Sequence, residues 1–156
     1  MDLPLHPILV HFPIALLFVS VLFDLLGTSL SRDSFREGAL WLLGLGLFGG
    51  IAAAVAGVMA EDAAEKAGVA ESLIETHETL AQATLAIMGV LLLSRLILRN
   101  RFSTRTFAAY LAVATVGLFT LIATGHTGGD LVYKHGAGVM TAPHVSQPIA
   151  QSLHGG

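Results

Sequence analysis

Four stretches of this chain are nearly free of charge over lengths that a lipid bilayer accommodates and a small soluble core does not. They cover residues 8–30, 39–60, 80–98 and 107–124. A hydrocarbon core about 30 Å thick is crossed by about 20 helical residues, so each stretch suffices for one span. The first contains one acid, Asp24, and the third one base, Arg95, near its end; the other two carry no charge. Inside lipid the backbone must satisfy its own hydrogen bonds, which leaves helices for spans of this length. The sequence therefore predicts an all-α fold, an integral membrane four-helix bundle in contact with the lipid bilayer.

Composition agrees. Only 12% of the 156 residues are charged and the mean hydropathy is +0.74, against about a quarter charged in an ordinary soluble domain. The net charge is −3, and the few basic residues form no stripe suited to phosphate backbones, which argues against nucleic acid as a partner. The chain has no cysteine. That excludes disulfides, thiolate-held iron–sulfur clusters and covalent c-type haem.

Local signals refine the layout. The N-terminus lacks the basic region of a cleavable signal, and the apolar run behind it is too long for one, so it is expected to stay as the first span. Pro13 suits the first turn of that helix, where a missing N–H costs nothing. Ser72 and Glu75 fit a capping box, which would start the third helix ahead of its apolar part. Gly46 and Gly50 form a GxxxG pair, continued by Ala53 and Gly57. Such a face admits close approach by another helix or by a flat cofactor. Arg32, Arg36, Arg95, Arg99, Arg101 and Arg105 flank the first and third connections, and only Lys66 and Lys134 fall opposite. The positive-inside rule then puts both termini on the outer, periplasmic side of a bacterial inner membrane, in a multi-pass arrangement. Residues 1–139 are expected to form the transmembrane domain. Its glycine-rich part, 125–139, would be an outer cap, and 140–156 a C-terminal tail. No internal repeat is visible beyond a pseudo-repeat of two helix pairs.

The seven histidines all fall on the outer side of this layout. His6 and His11 lie at the outer end of the first helix and His77 in the first turns of the third. His126 ends the fourth, His135 lies in the cap, and His144 and His154 in the tail. A single imidazole at an interface needs no explanation, but several buried together need partners. Metal or haem iron supplies them, and helical bundles build cofactor sites from facing helices. Glu61, Asp62, Glu78 and Asp130 are candidates to orient the rings. An acid inside a span is costly and usually functional, so Asp24 is expected either to carry a proton or to reach the inner interface.

Imidazole-only sites suit zinc, copper, iron or haem. The sequence contains no H-E-x-x-H, since His77-Glu78 is followed by Thr-Leu-Ala, and its four methionines are scattered. A b-type haem needs two axial histidines on facing helices, small residues against the ring and apolar walls, and this chain offers all three. Four or five outer histidines would be enough for one haem or two.

Three motifs, HPILVHFPIALL at 6–17, His77-Glu78, and GHTGGDLVYKHGAGV at 125–139, resemble a bacterial membrane family known as domain of unknown function 2231. The resemblance covers nearly the whole chain apart from the tail. It implies a four-helix inner-membrane module, sometimes joined to cytochrome c or Rieske-type domains, and by that association electron transfer. Carried onto this chain, its motif histidines are His6, His11, His77, His126 and His135.

These readings converge on a membrane b-type cytochrome, an electron-transfer protein rather than a hydrolytic enzyme. Haem b would be bound by His6, His11, His77, His126 and His135 against Gly46 and Gly50, with His11 and His77 or His126 the pairs nearest helix ends. Quinol, a cytochrome c or a Rieske-type protein would be its redox partners. The alternatives are a zinc- or copper-binding membrane protein using the same histidines, and a structural subunit of a larger membrane complex.

Overall fold

The computed structural model describes residues 5–98 and 102–137. The expected tail at 140–156, with His144 and His154, lies outside these residues, as do Arg99, Arg101 and the last two positions of the expected cap. Four helices follow one another: α1 (Leu5–Ser29), α2 (Asp33–Lys66), α3 (Glu71–Leu98) and α4 (Thr104–Tyr133). Each is long and apolar enough to cross a membrane. At 34 residues α2 is about 50 Å long, so it stands well clear of a hydrocarbon core of about 30 Å.

Neighbouring helices pack in the order α1–α2–α3–α4 and close with α1 against α4. This ring leaves α1 and α3 on one diagonal and α2 and α4 on the other. The first corner is tight. A side chain at Gly27 would overlap Arg36 and approach the Arg32 carbonyl, so the missing Cβ lets α2 turn back directly onto α1. At the last connection the Ser103 hydroxyl accepts the Thr106 N–H at 3.2 Å and caps α4. The core is thin: Leu17, Val21, Leu43, Met88, Leu91, Tyr110, Ala114 and Leu121. Trp41, Phe48, Ile97 and Phe119 point outward and exposed, as expected of helices whose outer solvent is lipid rather than water.

Three expectations need correction. Helix α1 begins at Leu5, so Pro13 sits well inside it. Its missing N–H costs the Leu9 carbonyl its helical donor, while the ring packs 3.5–3.8 Å from the Cβ direction of Gly49. Helix α3 begins at Glu71, which places Ser72 within the first turn; its carbonyl accepts the Thr76 hydroxyl at 2.7 Å. The segment expected to start a cap at 125 continues α4 to Tyr133. Its glycines do not break the helix: Gly128 admits the His77 ring, while Gly125 and Gly129 face open space beside a cavity.

Asp24 does not reach the interface. It is buried at 2% exposure in an ion pair with Arg95, itself 3% exposed. The second carboxylate oxygen accepts the Tyr110 hydroxyl at 2.7 Å, and Arg95 also donates to the Arg36 carbonyl at 2.7 Å. The acid on α1 and the base on α3 thus neutralise each other across the bundle diagonal.

A candidate histidine site between the diagonal helices

At the opposite end of the bundle from Asp24 a cavity of about 340 Å³ opens between α1 and α3. That volume lies within the range of small-molecule sites. Its walls are mostly apolar, with Ile14, Leu17, Leu85 and Leu121 among them, and its polar side chains are few: His6, His11, His77, Thr84, Thr124 and Tyr133.

Two of these imidazoles face each other. The His6 and His77 ring centroids are 5.9 Å apart with planes at 89°. His6 Nδ1 lies 2.7 Å from the Ala53 carbonyl on α2. His77 Nδ1 lies 3.1 Å from the Thr124 carbonyl on α4 and 3.1 Å from the Thr127 hydroxyl. A carbonyl only accepts, so each Nδ1 carries the proton and each Nε2 keeps its lone pair. The Thr127 hydroxyl donates to Thr124 O, which leaves its oxygen free to accept from His77 as well. Each ring also rests over a glycine: a Cβ at Gly57 would come 3.1 Å from the His6 ring, and one at Gly128 2.9 Å from that of His77. The partners that orient His6 and His77 are therefore backbone carbonyls, with the Thr127 hydroxyl beside the second. Of the acids Glu61, Asp62, Glu78 and Asp130, the last alone contacts a candidate histidine among the described residues, His126.

The other candidates fall elsewhere. His11 lines the cavity but is exposed, with Nδ1 donating to Pro7 O one turn back at 2.7 Å. His126 is three-quarters exposed, 4.0 Å from Asp130 across one turn of α4. His135 lies beyond α4 and is exposed. Gly46 faces Leu16 and Leu17 within the α1–α2 contact, while Gly50 lines the cavity close to Leu85. The sequence does not single out Thr124, Thr127 and Gly128 individually, although the last two lie within the motif at 125–139, and Gly57 enters there only in the small-residue face with Gly46, Gly50 and Ala53.

Four helices, each long and apolar enough to cross a membrane, with a mostly apolar cavity at one end of the bundle, define an all-helical, multi-pass class of membrane protein. No curated protein and no solved structure matches the chain. A family model does, over residues 2–141: the chain belongs to the predicted membrane protein family DUF2231.

Proposed function

We propose that this chain is a membrane electron-transfer protein of the b-cytochrome kind, with His6 and His77 as axial ligands of haem b. The observation that carries the reading is the facing imidazole pair. A metal about 2.0–2.1 Å from one nitrogen of each ring, with the rings on opposite sides, sets their centres roughly 6.4 Å apart, about half an ångström beyond the spacing of this pair. The pair stands at 5.9 Å. Both rings are held in the tautomer that offers Nε2, and a hydrogen-bonded Nδ1–H raises the basicity of the ligating nitrogen. Two converging imidazoles are the donor set of a six-coordinate haem and fewer than the three side chains that catalytic zinc takes.

Haem, when bound, supplies reversible one-electron chemistry. The protein's part is to fix both rings, to shield the site with Ile14, Leu17, Leu85 and Leu121, and to set the potential through that burial and the two carbonyl contacts. The arginine-rich end would face the cytoplasm and the cavity the periplasm. Electrons would pass between a donor in the bilayer, such as quinol, and a carrier at the histidine end.

The test is the absorption spectrum of detergent-purified protein expressed with ample haem, oxidised and then dithionite-reduced, with pyridine haemochrome quantification. A sharp reduced α-band of b type is expected, lost in His6→Ala and in His77→Ala. A colourless wild-type protein overturns the proposal.

A further inference from the structure

The facing pair is one of several matches that recur at a single offset. His6 and His77 are 71 positions apart, as are their carbonyl acceptors on Ala53 and Thr124. So are the glycines beneath them, Gly57 and Gly128. Halfway down the bundle Gly46 lies against Leu16 and Leu17, and Gly117, 71 further on, lies against Ile87 and Met88, which are the same two positions of α3. Helices α2 and α4 begin at Asp33 and Thr104, again 71 apart. The sequence shows it faintly, in GLFGGIA at 46–52 and GLFTLIA at 117–123.

Two of these equivalent pairs touch. His6 meets His77 at one end of the bundle, and Asp24 meets Arg95, its counterpart at the same offset, at the other. A two-fold axis between two hairpins brings equivalent residues to face each other across it, and both pairs lie across the diagonal of the closed ring. Helices α1 and α3 run in the same direction, so the axis lies along the bundle, as in parallel membrane repeats.

We infer that the chain is one helix hairpin used twice in tandem, closed about an internal two-fold axis, and that the cavity is a single half-site used twice. It takes one metal centre, on the axis, held by His6 and His77 alone. His11, His126 and His135 are outside it, because their counterparts are Gln82, Val55 and Ala64. The nature of the ligand rests on the haem reading above, whereas the paired half-sites do not. On that reading the chain binds one haem, not two, and Gly57 and Gly128 are positioning residues that seat the two rings.

Two measurements on the full-length protein test this and fail separately. The first is nitrogen NMR of the histidine rings in detergent micelles, without added haem. Both His6 and His77 are expected as Nδ1–H tautomers, with Gly57→Ala displacing His6 from that state and Gly128→Ala displacing His77. Finding either ring as the Nε2–H tautomer in the wild type, or insensitive to its own glycine, overturns the repeated half-site. The second is haem content. One haem per chain is expected, falling roughly tenfold or more in His6→Ala and His77→Ala alike, and unchanged in His126→Ala and His135→Ala. Two haems per chain, or loss in either of the last two variants, overturns the single axial centre. Wild-type protein that takes up no haem overturns that centre together with the reading it rests on, and the tautomers still decide the half-sites.

Discussion

Replacing Asp24 with alanine tests how the bundle is held at the end away from the histidine pair. The carboxylate and the Arg95 guanidinium are 2% and 3% exposed, so neither is rehydrated when the other is removed. Breaking a buried ion pair by deleting one partner costs about 3–5 kcal/mol, chiefly because the remaining charge stays buried. Here the Tyr110 hydroxyl would lose its acceptor too. In a chain of this size each kcal/mol moves the thermal midpoint by roughly 2–4 °C. The helix-association reference state in detergent finds partial substitutes, which favours the lower end. Asp24→Ala is therefore expected to lower the midpoint by roughly 6–12 °C, read by circular dichroism in a mild detergent. Changing both residues to leucine removes the two charges together, and the double variant is expected within about 3 °C of wild type or above it. The reasoning is refuted if Asp24→Ala falls by less than about 2 °C, or if the double variant is worse than the single.

Glycines along α2 divide by what surrounds them. At Gly46 an added Cβ would come 2.9 Å from the branched end of Leu17, and Gly46→Ala is expected to cost about 1–3 kcal/mol in the same melts. Gly44 has nothing within 4 Å, so Gly44→Ala should stabilise by up to about 1 kcal/mol through helix propensity; a lowered midpoint would show that its face is packed. Orientation is open to labelling because the chain has no cysteine. In intact spheroplasts a membrane-impermeant maleimide is expected to label Glu71→Cys and spare Ser34→Cys, and the opposite pattern would invert the assigned topology.

The number and order of the helices were legible because each apolar run is long enough to leave no other structure in lipid. Their ends were not. The second helix passes its apolar limit at 60 to reach Lys66, and the fourth passes 124 to reach Tyr133. Polar residues there continue a helix that the hydropathy has stopped reporting. Glycine misled for the same reason. Gly125, Gly128 and Gly129 suggest a loop by composition, yet within an established helix their lack of a side chain serves to admit the His77 ring and to open the cavity.

The histidines show what a topological argument reaches. It fixes the end of the bundle at which a residue lies, but not the face of the helix it occupies, and a helix end spreads its residues over the full circle. His6 and His11 are five positions apart, so they do not project together. Only His6 meets the opposite helix, while His11 turns back to Pro7 on its own. Facing partners become identifiable once a second copy of the pattern is aligned with the first. The offset that pairs His6 with His77 also pairs Asp24 with Arg95, two charges that hydropathy treats as separate blemishes in separate spans. Read singly, an intramembrane acid suggests a proton carrier or an interfacial anchor. Read at equivalent positions of two hairpins, the acid and the base are partners, and the charge joins α1 to α3 across the bundle.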